Sequence, residues 1–218
     1  MSETHPWNVS PSEARAIQED LRVRVVTQDD FGEIRQVAGT DVAFEEQGRV
    51  TRGAVAVLEY PGLQLMEHAI ARRPTTFPYI PGLLSFREIP VLLDAIAALA
   101  RRPDLMICDG QGIAHPRRFG LACHLGVLTD LPAIGVAKSR LTGKHDVVPD
   151  KKGAWVPLRD GEDVIGAVLR TRRGVRPVYV SPGHKVSLES AIRLTLDCIT
   201  RFRLPETTRW ADRLAGGG

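Results

Sequence analysis

The feature that most constrains this chain is a change of rhythm near residue 75. Before it, apolar and polar residues alternate through "IRQVAGTDVAF", "GAVAVLEY" and "LQLMEHAIAR". A period of two puts successive side chains on opposite faces of a strand. "EEQGR" and "PG" supply turn chemistry between the runs, so the three read as an antiparallel meander. In the first run Val37, Gly39, Asp41 and Ala43 share one face, and Ala38, Thr40, Val42 and Phe44 share the other. Beyond residue 75 the alternation stops. "PVLLDAIAALARR" reads as helix, "PDLMICDG" as a short buried strand, "PRRFGLACHLGVLTD" as helix and "LPAIGVAKS" as strand. Such a succession builds parallel strands joined by helical crossovers.

Three meandering strands followed by helix, strand, helix and strand is the order of an α/β, ribonuclease H-like mixed sheet flanked by helices. Upstream, "SPSE" is a helix start, with Ser10 as N-cap, Pro11 as first helical residue and Glu13 as the capping-box partner. That helix is expected to run to about Val26, making residues 1–33 an N-terminal helix and lead-in. Downstream, "DVIGAVLRTRRGVRPVYVS" reads as a hairpin turning at Arg172-Arg173-Gly174, and Ser187 as the cap of a final long helix, "LESAIRLTLDCITRF". With no internal repeat or long linker, residues 1–218 read as one domain, with 215–218 expected to be a disordered tail.

Composition narrows the function classes. With 43% hydrophobic residues, a chain of 218 can bury a sizeable core. No apolar run reaches membrane-span length and the N-terminus has no signal-peptide pattern, so a cytoplasmic protein with no membrane partner is expected. A monomer is the default expectation, though no residue pattern fixes it. Cys108, Cys123 and Cys198 are odd in number, widely spaced and set in apolar stretches, which suits reduced core thiols. A net charge of +3 permits a nucleic-acid partner without requiring one. No G-x-G-x-x-G follows the first strand, against a dinucleotide-binding fold.

The chemistry rests on acids in separate elements. Asp41 lies on the first strand and Asp109 at the end of the first crossover strand, which the topology makes neighbours. Gly39 and Ala43 beside Asp41 are expected to leave open space for a hydrated cation such as Mg²⁺, which takes oxygen ligands. The bland readings are an edge position for Asp41 and turn chemistry for Asp109-Gly110. Ser85 and Glu88 fit a capping box, but Pro90 weakens that reading. A helix with Pro90 in its first turn leaves Glu88 just ahead of it, free to point elsewhere. Three converging carboxylates would cage a hard cation for phosphodiester cleavage. Lys138, ending an apolar strand, is placed to contact a phosphate or to snorkel to the surface. His115 is a loop residue near Asp109, His124 falls mid-helix as buried structure, and His184 precedes a helix N-terminus where an anion can bind. "RTRRGVR" reads first as a solvated sheet edge.

At "GTDVAF", "PYIPGLLSFRE", "DLMICDGQGIAHPRRFGLACHLG", "IGVAKSRL" and "VSPGHKVS" together the chain resembles the endonuclease V family, from about Gly39 to Asp212. The resemblance implies a ribonuclease H-like DNA-repair enzyme that nicks the second phosphodiester bond 3′ to deoxyinosine. It implies Mg²⁺, replaceable by Mn²⁺, and 3′-hydroxyl and 5′-phosphate ends. The family's acidic triad falls on Asp41, Glu88 and Asp109, its strand-terminal lysine on Lys138 and a substrate-proximal histidine on His115. Asp212 matches a further position near the metal. The family's "PEPTR" stands here as "PETTR", with Thr207 at the third position. The resemblance also makes Pro78, Tyr79, Ile80 and Pro81 a wedge pressed into the duplex, and Gly82, Leu84 and Gly110 a pocket for the extruded base. Hypoxanthine pairs poorly, so its extrusion costs less than that of a normal base. Inosine in RNA, a more general structure-specific nuclease, and a non-cleaving nucleic-acid-binding module are the alternatives.

Overall fold

The computed structural model describes residues 5–217. The expected meander is formed by β1 (Gln36–Glu45), β2 (Val50–Glu59) and β3 (Leu65–Pro74), paired antiparallel. β4 (Leu105–Cys108) then runs parallel to β1, and β5 (Ala133–Ala137) parallel to β4. Three more strands, β6 (Trp155–Asp160), β7 (Asp163–Leu169) and β8 (Val178–His184), extend the sheet antiparallel, giving the order β3-β2-β1-β4-β5-β8-β7-β6. β6 lacks a clear apolar alternation and is not anticipated from sequence. Its hairpin to β7 turns at Gly161-Glu162, where Gly161 takes φ +60°.

Among the described residues there are five α-helices, α1 (Pro11–Arg22), α2 (Leu84–Ala97), α3 (Leu121–Thr129), α4 (Leu188–Asp197) and α5 (Glu206–Gly216); α2 to α5 lie on the sheet, and α1 packs on α3. α2 and α3 pack Ile89, Leu92 and Leu125 against Ala38, Val55, Val57 and Met106. On the other face α4 and α5 pack Ala191, Leu194, Trp210 and Leu214 against Val37, Leu58, Ile107 and Val180. β4 and β5 are buried on both faces, which is why they read as unbroken apolar runs. All three cysteines are buried and unpaired, as expected.

Several expectations shift. The capping box of Ser10 and Glu13 is present, but α1 stops at Arg22 instead of Val26. Val25 packs toward Phe119 and Cys123, and the Val26 carbonyl accepts from Lys185 N–H at 2.7 Å, so tertiary bonds end the helix. The final helix, expected over 188–202, stops at Asp197 as α4, capped by Ser187, and a further helix not expected from sequence, α5, opens at "PETTR". The disordered tail expected over 215–218 is not seen at its start: α5 is helical through Gly216 and Ala215 is buried, while Gly218 lies outside the described residues. The space expected beside Asp41 at Gly39 is filled. A Cβ there would stand 2.0 Å from the Thr207 carbonyl oxygen, so Gly39 lets the first turn of α5 lie against β1.

Candidate active site

Thr40 of β1 pairs with Cys108 of β4, and Asp109 N–H donates to the Thr40 carbonyl at 3.2 Å. Asp109 therefore leaves its strand directly beside Asp41. Lys138 follows β5, the next strand across, and its Nζ lies 2.5 Å from Asp109 Oδ2 and 3.6 Å from Asp212 Oδ1 on α5. Glu88 reaches the cleft from inside α2, not from ahead of it: the helix begins at Leu84 and carries Pro90 in its interior. Ser85 forms no capping box there. Its hydroxyl pairs with His124 Nδ1 at 3.0 Å.

The acids are electrostatically crowded. Burial pushes the Glu88 carboxyl up to about 8, and the charges of Asp41 and Asp109 push the same way. Burial and then Asp109 raise Asp41 to about 7, partly opposed by the Val42 N–H and Lys138. Burial also raises Asp109, outweighing its contact with Lys138. Burial works against the Lys138 ammonium, but Asp109, Asp41 and Asp212 hold it above its usual range. Oxygen donors that repel one another in a poorly solvated cleft suit a hard divalent cation. Among the described residues, no three acid, histidine or cysteine side chains are gathered closely enough to hold an ion as they stand. Lys138 is the cation in contact with Asp109.

The segment "PYIPG" forms the opposite wall. Leu83 N–H donates to the Ile80 carbonyl at 2.9 Å, Pro81 sits at the second position and Gly82 takes φ +79°, a type II turn. A Cβ on Gly82 would be strained and would meet Arg117 Nη2 at 2.9 Å. Phe77 anchors the segment in a cluster with Ala14, Leu83 and Phe86, while Tyr79 is 70% exposed. Tyr79 is thus not packing for its own loop. Three donors converge on the Gly82 carbonyl: Gln18 Nε2 at 3.1 Å, His115 Nε2 at 2.9 Å and Arg117 Nη2 at 2.6 Å. Gln18 also accepts from Arg117 Nε at 2.6 Å. His115 Nδ1 accepts the Arg117 N–H, so the ring is neutral with its proton on Nε2. Burial, then the nearby Arg117 charge, drops His115 to about 4. His115 therefore braces the turn. One cavity of about 330 Å³ joins Tyr79, Gly82 and Leu84 at one end to Asp109, Gly110 and Lys138 at the other.

The family model for endonuclease V matches residues 19–213. The chain is 59% identical to the endonuclease V of Roseiflexus castenholzii over 217 residues, covering 100% of this chain and 97% of that protein. The chain belongs to the endonuclease V family. It is an endonuclease, and the family supports action on deaminated bases in DNA. The crystal structure of the Streptomyces avermitilis endonuclease V superposes with TM-score 0.92 at 46% identity, covering 97% of this chain and 93% of that one. The Ciona intestinalis endonuclease V, 27% identical with TM-score 0.84 over 96% and 98% of the two chains, was solved with a 23mer DNA containing an inosine followed by a ribo-adenosine. These neighbours share the ribonuclease H-like architecture.

Within this endonuclease V chain, two motif-derived assignments part company. Asp212 stands beside Lys138, and the Thr207 departure leaves α5 intact. His184 does not approach the cleft. It pairs across from Ala133, at the start of β5, whereas Lys138 follows the end of that strand. Its Nε2 lies 3.6 Å from Asp130 and its Nδ1 accepts the Val26 N–H, so it fastens the α1 lead-in instead of substrate. Gln18 lies outside every quoted motif and Arg117, though inside one, was given no role from it; both are drawn to Gly82 from distant parts of the chain. No helix among the described residues is long and apolar enough to cross a membrane.

Proposed function

We propose that this chain is a deoxyinosine 3′-endonuclease, cutting the second phosphodiester bond 3′ to the lesion in a reaction that needs Mg²⁺ or Mn²⁺. The observation that carries this reading is the single cavity joining the Tyr79–Gly82 turn to Asp109 and Lys138. Pro78, Tyr79, Ile80 and Pro81 enter the duplex as a wedge, and the extruded base lies against Gly82, Leu84 and Gly110. Asp41, Glu88 and Asp109 would hold the cation, with Asp212, beside Lys138, as a further acid nearby. That cation supplies charge neutralisation at the phosphate and a more acidic water. The water oxygen bonds to phosphorus as the bond to O3′ breaks, and the departing oxygen takes a proton, leaving 3′-hydroxyl and 5′-phosphate ends. Lys138 places its ammonium where negative charge grows. His115, neutral and bonded to the Gly82 carbonyl, keeps the turn in place.

The test is incubation with Mg²⁺ of matched DNA and RNA oligonucleotides carrying one inosine, with nick positions mapped. The expected product is one nick at the second bond 3′ to deoxyinosine, absent from undamaged DNA and without added metal. Cleavage of RNA alone, or of both inosine-containing and plain strands equally, overturns the DNA-lesion reading. In the same assay Tyr79→Ala loses about 1–3 kcal/mol of affinity for inosine duplex, the size of a base–aromatic stack, and less for single strands.

A further inference from the structure

Beyond the cavity, the loop following α4 and the outer face of α5 enclose a second, smaller concavity of about 220 Å³, lined by Arg201, Phe202, Glu206, Arg209, Trp210 and Arg213. Three guanidinium groups share it with one carboxylate. Glu206 is already engaged: its Oε2 accepts from Arg209 Nη1 at 2.8 Å, and its Oε1 accepts from the Thr200 hydroxyl. Arg201 and Arg213 form no ion pair among the described residues and rest on rings instead. Arg201 lies 4.8 Å from the Phe202 centroid and Arg213 4.7 Å from that of Trp210. Arg209 also lies over the Phe202 ring, 3.3 Å from its centroid. A guanidinium stacked on a ring keeps its in-plane N–H donors free, and those donors match the oxygens of a phosphate. Like charges held around one hollow repel unless an anion joins them.

Position ties this basket to the site. On α5, residues 206, 209, 210 and 213 share one face, and Asp212 falls between that face and the buried one of Thr208, Ala211 and Ala215. Arg203, two residues from Arg201, donates from Nη2 to the Lys138 carbonyl at 2.7 Å. The hairpin loop that reads from sequence as a solvated edge is drawn in too. Thr171 Oγ1 donates to the Arg203 carbonyl at 2.7 Å, and the Arg172 guanidinium to the Arg201 carbonyl. These bonds tie the basket's loop to the backbone at Lys138 and to the Arg172 hairpin.

We propose that this basket is a phosphate subsite for the nucleic-acid backbone just outside the catalytic cavity, holding the substrate strand by charge and not by sequence. It rests on the nuclease reading above and adds to it a second grip on the substrate. The test is an Arg201→Gln/Arg213→Gln double variant, both side chains being exposed and outside the catalytic cavity. Binding to a duplex with a central inosine, without divalent metal, is expected to weaken roughly tenfold. The slope of log K against log salt should fall by about one for each phosphate no longer neutralised. The nicking rate at saturating substrate stays unchanged. Trimming the duplex from one end erases the difference between variant and parent, while trimming from the other end preserves it.

Unchanged affinity and salt slope overturn the subsite. So does a deficit that survives trimming from either end, which marks general attraction, or a fall in the saturated rate alone. A variant that loses inorganic phosphate in a thermal-shift titration, yet binds duplex as the parent does, makes the basket an anion site unrelated to substrate and also overturns it. Plain duplex is measured in parallel and should lose affinity by the same factor. If the parent fails to nick inosine DNA, the proposed activity falls while the subsite is still decided by plain-duplex binding.

Discussion

At Gly82 three donors converge on a single carbonyl, whereas at Glu88, on the helix that follows, a buried carboxylate faces two others of like charge. The turn is complete as it stands. Its bends come from Pro81 and Gly82, and its partners from α1 and from the loop after β4. The cleft is unfinished, because its acids repel one another and Lys138 is the one cation in an ion pair with Asp109 among the described residues. The turn proposed to recognise the base is therefore organised by hydrogen bonds before any ligand arrives, whereas the proposed chemical half leaves its acids for a cation to bring together. Proteins commonly give up stability at such a site for function.

The sharpest break between the halves is Glu88→Gln. It should abolish nicking, by on the order of a thousandfold or about 4 kcal/mol of barrier, since the carboxylate set is then incomplete. Thermal stability without metal at neutral pH should stay level or rise, because the fold no longer has to hold on a buried carboxyl a proton that the unfolded chain releases. Single-turnover nicking and melting curves check both, and a marked loss of stability would mean that Glu88 supports the fold instead. Gln18→Ala is its mirror image. It frees Arg117 Nε and removes donors from the carbonyls of Gly82 and Phe119, costing about 2 kcal/mol of stability. Nicking of single strands should survive better than nicking of duplexes, which need the turn held rigid. An equal loss on both would reduce Gln18 to a structural residue.

Acidity separates the halves by sign in metal-free protein. Glu88, at about 8 in the fold against 4.5 ordinarily, keeps a proton that the unfolded chain has released, so its contribution is lost as pH rises toward 8. His115, at about 4 against 6.5, refuses a proton that the unfolded chain accepts, so its contribution is lost as pH falls from 6.5 toward 4. Between pH 4.5 and 6.5 the two oppose each other. From 6.5 to 8 the carboxylates act without His115, and stability should decline by up to about 1.4 kcal/mol per pH unit for each proton. Denaturant midpoints across that range check the slope, and Glu88→Gln should flatten it. The smallest effect concerns Thr207, whose buried hydroxyl has no partner among the described residues. Thr207→Pro restores the family motif in the first turn of α5, where a backbone N–H goes unused, and should stabilise by roughly 0.5–1 kcal/mol. A lowered melting temperature would show that the turn has adapted to threonine.

The meander, the parallel pair β4 and β5, the capping box of α1 and the buried thiols were legible in the sequence. Each follows from neighbours in the chain: a period of two, an unbroken apolar run, a Ser-Pro-x-Glu spacing. The motifs likewise marked Asp41, Asp109 and Lys138, since adjacent strand ends must lie together once the sheet order is known. Other features were decided only in three dimensions. Pro90 argued for a helix starting after Glu88, yet the turn at Pro81-Gly82 starts α2 at Leu84 and buries the acid. Gly39 suggested empty space, yet the backbone of α5 fills it. His184 carried a site motif, yet the antiparallel pairing of β8 with β5 puts it at the wrong end. The grip on Gly82 joins residues 64 and 35 positions apart, through Gln18 and Arg117. Local pattern reports the energy of a residue among its chain neighbours. Burial, repulsion between acids and bonds to a shared carbonyl depend on partners that only packing brings together.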